Sequence, residues 1–229
     1  MSAPLTVIIP TIDAADRLSP TLAALTEGVV DGLVRELVIA DGGSTDGIEA
    51  LAEGVGARLV RAPRGRGTQL HAAARSTETP WLLFLHADTV PAPGWSAAVA
   101  AHMALEPDKA GWFRLAFDSS ATMARVTAGW ANLRSRVFGL PYGDQGLLIP
   151  RALYDETGGY RSIPLMEDVA LARAIGRRRM AAIEAVATTS AGRFVAEGWF
   201  RRGWRNLTTL ALYFAGVSPE RLARRYERR

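Results

Sequence analysis

Three short acidic stretches stand where phosphate or sugar chemistry could use them. His86-Ala87-Asp88 directly follows the apolar run Trp81 to Leu85, which aims a carboxylate at ligand rather than into a core. A hard divalent ion bridging two phosphates keeps several waters and takes only one or two carboxylates from protein, so Asp88 can hold it alone. His86 either adds a nitrogen ligand, if the ion is Mn²⁺, or serves as a hydrogen-bonding neighbour. Glu167-Asp168 lies in Pro164-Leu165-Met166-Glu167-Asp168-Val169-Ala170-Leu171, at the entry to a helix. Acidic residues are favoured there by the helix dipole. One of them can also take a proton from an attacking hydroxyl, a role worth typically about 10²–10⁴-fold. Adjacent side chains diverge, so at most one is the base.

The third stretch, Asp41-Gly42-Gly43-Ser44-Thr45-Asp46-Gly47, follows a strand and opens a helix. It can present backbone N–H groups and a carboxylate to a nucleotide, or be a tight turn with Thr45 or Asp46 as N-cap. It lacks the lysine pattern of an ATPase and the full glycine fingerprint of a dinucleotide enzyme.

The elements that must position these residues alternate. Leu5 to Ile9, Leu37 to Ala40, Arg58 to Arg61 and Trp81 to Leu85 read as strands. Helical segments follow at Leu18, Leu22 and Leu25, at Ile48 to Ala52 and at Thr68 to Ser76. Such alternation implies a parallel sheet with right-handed crossovers. Ligands then sit beyond the carboxyl ends of the strands, at loops 11–16, 41–47, 63–67 and 86–91. Further on, Gly111 to Phe117 reads as a strand, Thr122 to Phe138 as a long helix, and Gly143-Asp144-Gln145-Gly146 as a turn into the strand Leu147 to Pro150. Helices are expected from Arg151 to Thr157, from Glu167-Asp168 to Gly176, and as a pair divided near Gly216 and Pro219.

In order, Val7-Ile8-Ile9-Pro10-Thr11, the Asp41 to Gly47 loop, Phe84-Leu85-His86-Ala87-Asp88-Thr89, Gly143-Asp144-Gln145-Gly146 and Met166-Glu167-Asp168-Val169 resemble the inverting glycosyltransferases of family 2. The likeness spans residues 5–175 and is strongest to a small soluble bacterial branch whose metal motif reads His-Ala-Asp. It implies a GT-A fold, an α/β Rossmann-like and mostly parallel sheet with helices on both faces. It also implies metal-assisted transfer of a sugar from a nucleoside-diphosphate sugar of UDP or GDP type to a hydroxyl acceptor. By position, the nucleotide contacts are Pro10, Thr11, Asp13, Asp41, Gly42, Gly43, Arg64, Arg66 and Ala87. Asp88, with His86, is the site for Mn²⁺ or Mg²⁺. Asp168 is the base, and Asp144, Gln145 and Glu167 are acceptor-side residues. Two positions depart from the pattern: Asp13-Ala14 replaces the usual Asn-Glu, and His86 replaces the first acid of Asp-x-Asp.

The 229 residues, 48% hydrophobic and 22% charged, suit one folded domain. The expected division is a catalytic domain over 1–198 and a helical appendage over 199–229. The absence of cysteine excludes disulfides and thiolate zinc and fits a reducing compartment. Leu5 to Pro10 is too short for an export signal, so the cytoplasm is expected. The net charge of +4 is concentrated in Arg177-Arg178-Arg179, Arg201-Arg202 and Arg221 to Arg229. No nucleic-acid motif accompanies it. Trp204, Leu207, Leu210, Ala211 and Phe214 recur at helical spacing, with Leu212 and Tyr213 extending the apolar surface. That helix either packs or forms a homo-oligomer, or docks at the inner face of an anionic membrane that carries a lipid-linked acceptor. Two rival functions are a sugar nucleotidyltransferase and a non-catalytic nucleotide-sugar-binding module. Loop 10–16 lacks the glycines of the first, and the presence of both Asp88 and Asp168 speaks against the second.

Overall fold

Leu5, Val7, Ile8 and Ile9 are all fully buried, so the first strand is covered on both faces, as an interior strand of a parallel sheet must be. The computed structural model describes residues 3–227. Its first half runs β1 (Leu5–Thr11), α1 (Ala15–Val30), β2 (Val34–Asp41), α2 (Ile48–Gly54), β3 (Arg58–Arg61), α3 (Arg66–Arg75) and β4 (Trp81–Phe84). All the pairings among these strands are parallel. The second half follows with β5 (Thr89–Pro91), α4 (Trp95–Leu105), β6 (Ala110–Phe117), α5 (Thr122–Phe138), a 3₁₀ turn (Gly143–Gln145), β7 (Leu147–Pro150), α6 (Arg151–Glu156) and α7 (Glu167–Ile175). A second 3₁₀ turn (Arg177–Arg179), β8 (Met180–Thr189), α8 (Gly192–Glu197), α9 (Trp199–Phe214) and α10 (Pro219–Glu227) complete it.

The eight strands form one mixed sheet in the order β3-β2-β1-β4-β7-β6-β8-β5. β7 runs antiparallel to both β4 and β6. This reversal matters for the site: the start of β7 lies beside the end of β4, since Leu147 pairs with Phe84. Loops from both halves of the chain therefore meet at one sheet edge.

Alternation along β1 sends Val7 and Ile9 into a cluster with Leu18, Trp95 and Val99. Ile8 faces the other way, into a cluster with Val38, Leu70, Phe84 and Tyr154. A third cluster joins Leu140, Met166, Val169 and Ala172 to Leu222 of α10.

The four parallel strands and the β6, α5 and β7 segments lie where the sequence puts them. Several details differ. The N-cap of α2 is Gly47, in the left-handed region at φ 83°, rather than Thr45 or Asp46, whose polar groups are turned toward loop 11–16. β5, α4 and β8 carry no strong signal in the sequence. Leu210, Leu212 and Tyr213 pack against the third cluster instead of extending an outer apolar surface, because they lie on the inner side of α9. Among the described residues no helix is long and apolar enough to cross a membrane. Arg228 and Arg229 of the basic tail lie outside the described residues.

Candidate active site

Thr11 and Asp41 end neighbouring strands and are paired in register. Thr11 Oγ1 donates to Asp41 Oδ1 at 3.3 Å, the Gly43 N–H donates to Asp41 Oδ2 at 3.0 Å, and both the N–H and the hydroxyl of Ser44 donate to the same carboxylate. Burial pushes the Asp41 carboxyl up, but these donors outweigh it and hold it below its ordinary range. Asp41 is only 1% exposed, so it shapes the Gly42-Gly43 turn from beneath.

Loops 11–16 and 41–47 are clasped together. The Thr45 N–H donates to Asp13 Oδ1 at 2.9 Å, the Asp13 N–H to Ser44 Oγ at 2.9 Å, and the Ala15 N–H to Asp46 Oδ2 at 2.7 Å. Asp13 adopts a left-handed φ of 46° to do this, a conformation that aspartate tolerates better than most residues. A residue missed by the sequence reading locks the assembly from below. Gln69 of α3 donates through Nε2 to the carbonyls of Thr11 (2.7 Å) and Ala40 (2.8 Å), and accepts from the Gly65 N–H at 3.3 Å. Pro10 belongs to the strand end itself, and Arg64 is exposed in the loop leading to α3.

Past β4, the Ala87 carbonyl is anchored by the Thr21 hydroxyl at 3.0 Å, and Asp88 beside it is half-buried. His86 turns inward. Its Nε2 lies 3.4 Å from Arg66 Nη1, and a Cβ placed on Gly143 would stand 2.3 Å from the same atom. Any side chain there would force the His86 ring to move. Burial, with Arg66 and Arg193 adding to it, holds the His86 imidazole well below its ordinary pKa, so it is neutral at pH 7.

Glu167 and Asp168 diverge, as adjacent residues should. Glu167 is buried and pairs with Arg66 at 3.2 Å; burial pushes its carboxyl up to about 7 against the pull of Arg66. Asp168 turns toward the 3₁₀ turn, where the Gly143 N–H donates to its Oδ2 at 3.0 Å, while the Val169 N–H donates to its Oδ1 at 2.7 Å. Arg66 sits amid these acids. Its outer side is open to solvent; desolvation of its inner side opposes its charge, but Glu167, Asp168, Tyr160 and Asp144 hold it more firmly protonated. Arg66, His86, Gly143, Glu167 and Asp168 line one narrow cleft together with Tyr160.

Asp144 is pushed up to about 6 by burial, with Asp168 and Asp88 adding to the rise and Arg134 opposing it. Its Oδ1 is buried with no hydrogen-bond partner, an arrangement that costs free energy unless a cation or donor completes it. Gln145 is fully buried. Its Oε1 accepts from Ser135 Oγ (2.6 Å) and Arg134 Nη2 (3.2 Å), and its Nε2 donates to Asn132 Oδ1 (3.2 Å). It therefore holds Asp144 in place from behind.

Among the described residues no three or more His, Cys, Asp or Glu converge as a ready-made metal cage. The half-buried Asp88 and the orphaned Asp144 oxygen nonetheless suit a hard cation that needs few protein ligands. Three more positioning residues, Gln69, Arg134 and Asn132, carried no recognisable spacing in the sequence.

The sequence pattern of the family described as Glycosyl transferase family 2 matches residues 6–163, which run from β1 through β7 and include Asp41, Asp88 and Asp144 but stop before Glu167 and Asp168. The chain belongs to glycosyl transferase family 2. A curated member similar to it is the glucosyl-3-phosphoglycerate synthase of Mycolicibacterium paratuberculosis, 39% identical over 56 residues, which cover 24% of this chain and 17% of that protein. The chain thus matches well under two thirds of that relative. Among solved structures, the Mycobacterium tuberculosis glucosyl-3-phosphoglycerate synthase in complex with Mn²⁺, UDP and glucosyl-3-phosphoglycerate matches with a TM-score of 0.59 at 20% identity, over 81% of this chain and 70% of that one. TarS from S. aureus matches with a TM-score of 0.63 at 14% identity, over 95% and 68%. At these identities the likeness is one of fold: an α/β GT-A-like architecture with C-terminal helices.

Proposed function

We propose that this family 2 glycosyltransferase inverts the configuration of a sugar as it moves it from a nucleoside-diphosphate donor, of UDP or GDP type, to a hydroxyl acceptor. Within the family it belongs to the branch whose metal motif reads His-Ala-Asp. The observation that carries the reading is that Asp168, from the second half of the chain, lines one cleft with His86, which follows β4 in the first half. Asp88 lies in the turn between β4 and β5, and Asp168 is fastened by the Gly143 N–H beside the start of β7, with the Asp144 carboxyl raised by burial and further by both charges.

The clasped loops of Thr11, Asp13 and Asp41 to Gly43 form the nucleotide floor, with Arg64 and Arg66 approaching from the β3–α3 side. Asp88, with Asp144, would hold a divalent ion, Mn²⁺ or Mg²⁺, which would supply charge neutralisation for the departing diphosphate. Asp168 takes the acceptor proton as the hydroxyl attacks the anomeric carbon, and its two backbone donors fix the direction of the free lone pair. Both acts favour the transition state over the ground state. The structure of the M. tuberculosis relative, which holds Mn²⁺ and UDP, supports the choice of ligands.

Calorimetry with UDP and GDP in the presence of Mn²⁺ tests this directly. Binding is expected for the native chain and a loss of its metal dependence for Asp88→Asn, because an amide is a poor ligand for a hard cation. Absence of binding by either nucleotide would sink the proposal.

A further inference from the structure

Two long helices, α5 and α9, show apolar stripes on the sides turned away from the rest of the protein. On α5 the buried positions are Ala124, Ala128, Ala131 and Ser135. Val126, Trp130, Leu133 and Val137 are exposed and lie opposite them at 100° per residue. On α9 the buried positions are Arg202 and Thr209, and Phe200, Trp204, Leu207, Ala211 and Phe214 face outward. The two helices touch each other. Trp130 is 51% exposed and Trp204 68% exposed, unusual values for the largest apolar side chain.

The exposed charge on these two helices is basic, with Glu184 the acidic residue lining the groove beside α5. Neither helix contains an Asp or Glu; Arg125, Arg136 and Arg201 are exposed on them, whereas Arg134 and Arg202 are buried and Arg202 and Arg205 pair with Glu197. An open groove of about 880 Å³ adjoins α5 and is lined by Arg114, Arg136, Arg177 and Arg178, with Leu133 of the stripe on its wall. Apolar side chains flanked by arginine are the pattern of a helix lying in a bilayer interface, with its apolar side about 5–10 Å into the headgroup and acyl boundary. A second copy docked symmetrically would bring the same arginines of both chains together, which favours an anionic partner.

We propose that α5 and α9 together form a docking face for an anionic lipid bilayer. The inner side of α5 holds the acceptor-side turn: Arg134 donates through Nε to the Leu140 carbonyl (2.9 Å) and through Nη2 to Gln145 Oε1 (3.2 Å), and its guanidinium lies 3.4 Å from the centre of the Tyr142 ring. A single helix thus has the bilayer on one side and the Gly143–Gln145 turn on the other. The docking stands or falls independently of the donor and of the transfer chemistry.

Co-sedimentation with vesicles tests it. The native chain is expected to pellet with phosphatidylcholine vesicles containing phosphatidylglycerol, to pellet weakly with phosphatidylcholine alone, and to be released as salt rises. Trp130→Glu and Trp204→Glu are each expected to lower partitioning by about tenfold or more, with the circular dichroism spectrum and thermal transition retained because both side chains are exposed. Charges at Leu212 or Tyr213 are unsuitable here, since those residues pack inward. Failure of the native chain to pellet with anionic vesicles would overturn the proposal. So would full retention of the folded double variant, or a dimer in sedimentation velocity that the double variant dissolves while vesicle binding is absent.

Discussion

Asp144 and Glu167 are carboxyls whose protons are held more tightly in the folded chain than in the unfolded one, Asp144 up to about 6 from an ordinary 3.8 and Glu167 up to about 7 from 4.5. For a raised acid, the folded state loses stability as pH climbs from the ordinary value through the folded one. His86 and His102, both held below 6.5, work in the opposite direction, because only the unfolded chain gains their protons. The informative quantity is therefore the difference between native protein and Asp144→Asn. The variant's melting temperature should rise relative to the native one as pH passes from about 4 to above 6, and Mn²⁺ should shrink that difference at the higher pH. A difference that stays flat with pH would remove Asp144 from the account. Asp168→Asn is a separate matter: nucleotide binding should persist in calorimetry, while turnover falls by roughly 10²-fold or more because the amide keeps the shape but accepts no proton. Normal turnover would leave Asp168 as a helix-terminal charge and move the search for the base to Glu167 or Asp144. The places of Asp88 after β4 and of Asp168 in the first turn of α7 were legible in the sequence, because both elements have clear boundaries. Gln69 was not, since nothing in a helical pattern tells that one amide reaches back to two strand-end carbonyls.

At the scale of elements, α3 holds the nucleotide side together. Gln69→Leu removes one donor from each of the Thr11 and Ala40 carbonyls, the first of which keeps the Gly42 N–H at 2.9 Å, at a cost of about 0.5–1.5 kcal/mol per lost bond in urea unfolding. Gly67 is the other fixed point of this helix: a Cβ there would lie 2.1 Å from the Arg161 carbonyl oxygen, so Gly67→Ala must push loop 161–164 away from α3 and with it the approach to Glu167. The parallel half was readable because its strands are dense in β-branched and leucine side chains, bounded by glycine and proline. β8 was not, since Met180–Thr189 is built largely of alanine, and its strand state comes from pairing with β6 along most of its length. The short β5 likewise exists through its partner, with Thr89 to Pro91 pairing to Thr189 to Ala187. Propensity gives way to neighbours in both cases.

Across the whole molecule, the C-terminal helices stand behind the segment that carries Asp168. Leu222 of α10 is 1% exposed and shares a cluster with Met166, which caps α7, and with Leu140, which leads into the Gly143 turn. Leu222→Ala should cost about 2–5 kcal/mol in denaturant unfolding and lower turnover more than nucleotide binding, because the cavity opens beneath Asp168 rather than beneath Asp41. Equal losses in both would place α10 outside the support of that segment. The tail's helical character was visible in the sequence, but which of its apolar residues face inward depends on the path of α7 and could only be seen in three dimensions.

β4, which delivers Asp88, lies between β1 and β7. Trp81 pairs with Leu5 on one side and with Pro150 on the other, so neither edge of β4 can be closed by its neighbours in sequence. Closing such long loops costs chain entropy before any pairing is gained, and it slows folding. During synthesis the edge of β4 that β7 later covers stays bare until Pro150 has left the ribosome. No half-made chain carries the assembled acidic cleft, and until β7 arrives that edge of β4 presents unpaired backbone N–H and C=O groups on which another strand can pair.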